Sequence, residues 1–242
     1  SRNQHDLPIF HTALPVLNLV QLFRTTRFVG ADRVSDADQL SVGVTSRLFD
    51  TEDGTQFLAA TLGQTYYFDS PQVRLPDEPP GTRNSSDVIA QLALTGYQNW
   101  NADLGLQWNP EFSRSERAQV NIQYLPGPER VINLGYRMQR DRLEQAEISG
   151  AWPIGQRWAG FARLVHDFQD DTTLERFAGL EYRSCCWRLR FLGRRFVGSR
   201  TGEQDTGFYV QLELTGLASV GSAADTFLAT AIRGYSRPET RP

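Results

Sequence analysis

The chain has 242 residues, 40% apolar and 22% charged, with a formal charge of -3. That balance excludes a disordered chain, a collagen, a coiled coil and a disulfide-dense mini-protein, and it gives no electrostatic field for nucleic acid. No stretch reaches the roughly 20 apolar residues of a membrane helix, but a membrane β-barrel stays open, because its strands are apolar on one face only.

Residues 1–38 stand apart from the rest. Leu14–Phe23 is apolar, then Arg24, Arg27, Asp32 and Arg33 follow. The run is too short to span a membrane as a helix. It predicts a structured loop, packed within or over a lumen or lying outside. Ser1-Arg2-Asn3-Gln4 has no signal-peptide pattern, which fits a mature segment or a piece cut from a longer chain.

Period-two alternation takes over from residue 39. Strands are expected at 40–48, 57–68, 88–96, 100–108, 118–124, 132–139, 144–152, 158–167, 174–183, 187–196 and 208–214. The clearest has Trp100, Ala102, Leu104, Leu106 and Trp108 on one face, and Asn101, Asp103, Gly105 and Gln107 on the other. The last has Phe208, Val210, Leu212 and Leu214 opposite Gly207, Tyr209, Gln211 and Glu213. Short connections (49–55, 97–99, 125–130, 153–157, 184–186) contrast with the long, proline-rich 69–87 and the polar Gly198–Asp205. An up-and-down meander with ends in two compartments has that character. Trp100, Trp152 and Trp158 at strand ends suit an interfacial girdle. The fold class read from this is all-β, an antiparallel up-and-down transmembrane barrel portion over 39–216. Residues 217–242 form a C-terminal periplasmic tail in which Ala223–Ala229 makes a short helix or turn.

A soluble β-sandwich also alternates. Its outer face carries charge, however, and the polar faces here are rich in Gln, Asn and Gly as well as Arg and Glu. That composition suits a hydrated lumen better.

Catalytic and metal patterns are sparse. His5, His11 and His166 are the only histidines, and no Gly-x-Ser-x-Gly elbow accompanies them. No Cys/His cluster has metal-ligand spacing. Asp167, Asp170 and Asp171 read as a solvated turn more readily than as a calcium loop. The reading is therefore non-enzymatic, without metal or cofactor.

Two features stand out. Cys185 and Cys186 are adjacent at a short turn. They read either as halves of two disulfides with partners outside the chain, their side chains diverging, or as a buried apolar pair. All 25 cations are Arg. Arg188, Arg190 and Arg194 share one strand face, and Arg137 and Arg163 are further lumen-facing candidates. These fit recognition of phosphate or sugar acids in a lumen. They fit equally a set of cross-strand ion pairs with Glu181 and Glu213.

The chain resembles the C-terminal part of the lipopolysaccharide-assembly outer-membrane protein family, LptD. The resemblance runs through Pro8-Ile9-Phe10, Leu22-Phe23-Arg24, Arg27 to Arg33, Ala37 to Arg47, Gly63 to Phe68, Gly179 to Trp187 and Gln211 to Leu217. The pair Cys185-Cys186 within Gly-x-x-Tyr-x-Ser-Cys-Cys is its most specific element. The resemblance implies about eleven C-terminal strands of a larger barrel in the cell outer membrane. It implies that Cys185 and Cys186 bond to cysteines of a periplasmic N-terminal domain. It implies a lateral gate at the last strand, Phe208, Tyr209, Val210, Gln211, Leu212, Glu213 and Leu214 up to Thr215, weakened by Gly207 and Gly216. The implied partners are lipopolysaccharide, the plug lipoprotein LptE near segment 1–33, outer-membrane lipids, and a periplasmic lipopolysaccharide-bridge protein through the N-terminal domain. A passive porin-like channel and a barrel hydrolase using His166 are the alternatives.

Overall fold

The computed structural model describes residues 4, 10–13, 17–30, 32–36, 38–69, 72–73, 75, 84–127, 129–198, 203–214 and 217–236. The elements are α1 (Leu19–Leu22), β1 (Gln39–Phe49), β2 (Gln56–Tyr67), β3 (Val88–Tyr97), β4 (Trp100–Asn109), β5 (Arg114–Gly127), β6 (Arg130–Gln139), β7 (Leu143–Ile154), β8 (Trp158–Asp167), β9 (Thr172–Arg183), β10 (Trp187–Val197), β11 (Gln204–Leu214), β12 (Ala218–Gly221) and α2 (Ala224–Ala231). The strands form one antiparallel up-and-down sheet in sequence order. Strands β1–β11 correspond one for one to the eleven expected from alternation. β12 is additional, in the stretch expected to be tail. β5 starts at Arg114 rather than 118, because Arg114-Ser115-Glu116-Arg117 is polar on both faces and carries no alternation, while a backbone ladder needs none.

The chain divides into two compact units, Ser1–Leu92 with Leu104–Ala118, and Ala93–Asp103 with Gln119–Pro242.

In the first unit β1 and β2 pair from Gln39↔Tyr67 to Phe49↔Gln56. One face carries the exposed Leu40, Val42, Val44, Leu62 and Tyr66. The other carries Ser41, Gly43, Gly63 and Thr65, and the segment before β1 packs on it. Asn18 caps α1, its side chain accepting from the Gln21 amide. The Leu22 carbonyl accepts from the Ser41 and Thr65 hydroxyls at 2.6 and 3.3 Å. Ala13 and Val29 form a β-bridge. The Asp32 carboxylate accepts from the amides of Phe10 and His11 at 3.0 and 2.7 Å and from Thr12. Those amides, His11 first, hold its pKa below the ordinary carboxylate value. Leu22 and Phe28 are buried. His5 and Leu14–Val16 lie outside the described residues, as do Pro71, Pro76, Pro79, Pro80 and Gly81.

The pair Gly43↔Gly63 makes this docking possible. A Cβ at Gly63 would stand 2.6 Å from Leu22 Cδ2, and one at Gly43 2.8 Å from Phe23 Cζ. Gly63→Val is expected to lift α1 off the sheet, at an overpacking cost of about 1–3 kcal/mol. Amide exchange at Leu22 and Val29 should then rise about tenfold while the β1–β2 ladder stays protected. Unchanged exchange at Leu22 would refute the contact.

In the second unit the register places whole rows of side chains in line across β6–β11. One row runs Val131–Ala151–Phe161–Gly179–Leu192–Tyr209. Its large apolar members stand on the face expected to be polar, and α2 covers them. Val131, Phe161, Phe177, Leu192, Leu228, Ile232 and Tyr235 form the core of this unit. Phe227 packs against Phe177 and Tyr209, with ring centroids 5.1 and 5.0 Å away.

Candidate functional site

The exposed face of the second unit is apolar. Ile132, Leu134, Ile148, Leu164, Leu180, Leu189, Phe191, Phe208, Val210, Leu212 and Leu214 are all solvent-facing. A contiguous exposed apolar surface of this kind marks an interaction or membrane-facing surface, unlike apolar residues scattered singly. At one end it terminates in aromatic rings. Trp100 packs on Tyr124 at 4.7 Å and Tyr124 on Trp152 at 6.5 Å. Trp158 packs on Tyr182 at 4.9 Å and Tyr182 on Trp187 at 5.3 Å. The short turns 155–157 and 184–186 lie at this end. Amphipathic rings in such a belt match a membrane–water interface.

The opposite face carries the Arg residues singled out from the sequence, and most are neutralised locally. Beside the apolar row runs Ala159–Glu181–Arg190–Gln211. Glu181 and Arg190 are buried, 0% and 1% exposed. Glu181 accepts from both Arg190 Nε and Arg183 Nε, and Arg183 reaches on to Glu129. Arg190 Nη1 also lies 3.6 Å from Glu213. Arg188 sits across from Glu213. On the far side of the apolar row, Arg163 bridges Glu147 and Glu175, each at 3.0 Å. Arg194 pairs with Glu175 at 2.6 Å and covers the Phe196 and Phe227 rings at 4.1 and 5.0 Å. Arg137 donates to Gln145. Of the two readings left open by the sequence, cross-strand pairing is the one this geometry displays.

α2 is tied to this face at both ends. No side chain of its N-cap residue, Ala223, caps the helix. Instead the Asp225 amide donates to Gln211 Oε1 at 3.1 Å, and Gln211 Nε2 donates back to Asp225 at 3.3 Å, satisfying a donor the first turn leaves open. Beyond the helix the Arg233 carbonyl accepts from Gln123 and Asn133, both at 3.0 Å. The out-of-phase Phe161, Phe177 and Leu192 were the sequence signal for a covered patch, and alternation alone passes over it.

Tyr235 is 6% exposed, and among the described residues its hydroxyl has no hydrogen-bond partner. Burial first, then the Glu181 charge, push its phenol up to about 12. The unfolded phenol titrates near 10, so the folded state holds the proton longer. Stability is then complete below about pH 10 and falls as pH rises through about 12. Tyr235→Phe should remove that fall and leave neutral-pH stability unchanged or raised by about 1 kcal/mol, since a buried unpaired hydroxyl is lost. Alkaline unfolding curves for the two proteins check it; superimposable curves would contradict the assignment.

Cys185 and Cys186 are exposed free thiols at the bend between β9 and β10. The expected divergence of their side chains is not found: the sulfurs lie side by side, 2.6 Å apart. Ser184 N bonds to Trp187 O at 2.9 Å, and this tight bend turns both side chains the same way. The Cys186 thiol, then the Ser184 hydroxyl, lower the Cys185 pKa, and the same contact raises that of Cys186. Their exposure sets aside the buried-pair reading.

β11 carries Phe208 to Leu214 as expected, but it is not the last strand. β12 pairs with Gln211–Leu214, and Ser222 binds both the amide and the carbonyl of Val210. Thr215 and Gly216 lie outside the described residues. His166 has Asp171 at 3.6 Å, the Thr173 hydroxyl at 3.5 Å and the Phe168 ring beside it. Among the described residues no group of three His, Cys, Asp or Glu is placed to hold a metal.

The family described as LPS transport system D matches residues 1–158. Similar proteins include the LPS-assembly protein LptD of Thiobacillus denitrificans, 39% identical over 97% of this chain and 32% of the relative. That of Nitrosomonas europaea is 39% identical over 98% of this chain and 33% of its own length. That of Xylella fastidiosa strain 9a5c is 36% identical over 98% and 31%. The chain thus spans about a third of the length of these relatives. An all-β meander, apolar on one face and belted with aromatic rings, suits an outer-membrane β-barrel, and with these matches the chain is shown to belong to the LptD family.

Proposed function

We propose that the chain supplies part of the wall of an outer-membrane translocon that delivers lipopolysaccharide to the outer leaflet. The role is non-enzymatic. The observation that carries it is the two-faced meander: apolar side chains on one face and buried ion pairs on the other, in a chain of this family. The apolar face meets lipid, and the polar face meets a hydrated lumen. In this reading residues 1–38 line the lumen or the extracellular side, 39–216 span the membrane, and 217–242 return toward the periplasm. A plug lipoprotein of the LptE kind sits beside the first segment, and a periplasmic bridge protein delivers the substrate through an N-terminal domain. Cys185 and Cys186 tie the barrel to that domain. Further strands of the longer protein close the barrel, since a bilayer tolerates no open sheet edge.

Lipopolysaccharide leaves sideways at the edge formed by β11 and β12. Among the described residues, pairing on that side of β11 ends at Val210, so its other half, including Phe208 and Tyr209, is the part that opens. The test is a cysteine crosslink joining β11 to the strand that closes the seam, in full-length protein supporting a depleted strain. New surface lipopolysaccharide should stop appearing until reductant is added. Continued delivery with the seam locked would overturn the gate. Electrophoresis with and without reductant tests the thiols: a mobility change lost in Cys185→Ser/Cys186→Ser supports bridging, and an identical migration contradicts it.

A further inference from the structure

We propose that Arg176 and Arg195 form a binding site for a phosphate-bearing membrane lipid on the lipid-facing side of β9 and β10. The inference rests on the proposed outer-membrane placement of that face. Arg176 and Arg195 are direct cross-strand partners, and both are exposed. They belong to the apolar face: along β9 the exposed positions are Arg176, Ala178 and Leu180, and along β10 Leu189, Phe191 and Arg195. Two like charges placed directly opposite repel one another. Their other cross-strand neighbours on this face, Leu164 and Thr206, are uncharged. Among the described residues, then, no cross-strand neighbour on this face supplies a carboxylate of the kind that neutralises Arg163, Arg190 and Arg194 on the opposite face.

The surroundings fit a lipid headgroup. Arg176 and Arg195 border a depression of about 300 Å³, with Thr172, Thr173 and Gln204 as further polar groups. Its one carboxylate, Asp171, is directed at His166, 3.6 Å away. The next row down the exposed face is Ala162, Ala178, Gly193 and Phe208, whose ring forms one apolar side of the space below Arg195, followed by Phe191, Leu180 and Val210. Small side chains under a pair of guanidinium forks leave room for an acyl chain leading away from the charged group. Arg176 is six residues along β9 from Tyr182 of the aromatic belt, about 20 Å at the rise of a strand. The pair thus stands toward the opposite membrane surface, where long Arg side chains reach headgroup phosphates. Two planar forks side by side present parallel N–H donors that match phosphate oxygens, which a single ammonium does not.

The test uses full-length protein in a neutral detergent, titrated with phosphatidic acid, with phosphatidylcholine and with inorganic phosphate, and read by native mass spectrometry. Arg176→Gln/Arg195→Gln should bind phosphatidic acid about tenfold more weakly, the equivalent of about 1.4 kcal/mol. Arg142→Gln, in the turn between β6 and β7, should bind as the unaltered protein does. Arg176→Lys/Arg195→Lys keeps the charge without the fork and should fall between. The proposal is overturned if the double Gln variant retains full affinity, if Arg142→Gln loses as much, or if inorganic phosphate binds as tightly as the lipid. Heat-modifiable migration on electrophoresis verifies that each variant is folded. Lipid binding is read without any transport step, so loss of the translocon reading through the seam crosslink would leave this result standing, and the converse also holds.

Discussion

Glu181→Ala is expected to be among the most damaging single substitutions in the chain, destabilising it by about 3–5 kcal/mol. Glu181 and Arg190 are 0% and 1% exposed. Removing the carboxylate strands the Arg190 guanidinium away from water, with only Gln211 at 3.3 Å and Glu213 at 3.6 Å left near it. The cost is that of a buried guanidinium stripped of its nearest counter-charge, which the more distant Glu213 only partly replaces, rather than the net worth of the pair. For the same reason Glu181→Leu/Arg190→Met is expected to lie within about 1 kcal/mol of the parent, because both desolvated charges go together. Arg183 keeps Glu129 in that variant. Urea unfolding of the folded full-length protein in detergent measures both. If the single and double variants unfold at the same urea concentration, the ion pair is not what the row across β8–β11 depends on.

Leu228→Ala should cost about 2–5 kcal/mol, and its effect should be local. Leu228 is fully buried, between α2 and the row that contains Phe161 and Leu192. An eight-residue helix is too short to persist alone, so its stability comes from this packing. Loss of the leucine should let α2 detach while the β6–β11 ladder keeps its backbone bonds. Exchange of the Phe227, Leu228 and Ile232 amides should then rise by two orders of magnitude or more, as a change of about 3 kcal/mol requires. Thr230→Ala, an exposed change on the same helix, should alter it by less than threefold. Equal effects of the two substitutions would mean that the helix is not held by its apolar face.

Strand identity was legible because the signal is local. Trp100 to Trp108 and Phe208 to Leu214 alternate in step with the pleat, so each strand declares its two faces. β12 escaped notice because Ala218-Ser219-Val220-Gly221 is short and weakly patterned. Its place comes from pairing with Gln211–Leu214, which is a non-local contact. The two cysteines were legible as a functional element because adjacency at a turn is itself a sequence property. Their mutual orientation was not, since the bend at Ser184 decides it.

The Arg residues show where sequence reading stops. Period two placed Arg188, Arg190 and Arg194 on one face, but it left their partners open, and register settled them. Glu181 faces Arg190 only because Arg188 pairs with Arg183 across the turn. The same register sets Arg176 against Arg195, with the uncharged Leu164 and Thr206 as their other cross-strand neighbours, a like-charge pair that no inspection of either strand alone reveals.

The sequence by itself determined an all-β chain with one apolar and one polar face, short turns at one end, and membership in a lipopolysaccharide-assembly family. Those follow from alternation and from residue identity along the chain. Only the tertiary structure decided that α2 covers part of the polar face, that most of the Arg residues there lie against carboxylates, and that one Arg pair on the apolar face has uncharged cross-strand neighbours. Each of these depends on which residues meet across strands far apart in sequence, and a shift of one residue in register would exchange the faces and undo them all.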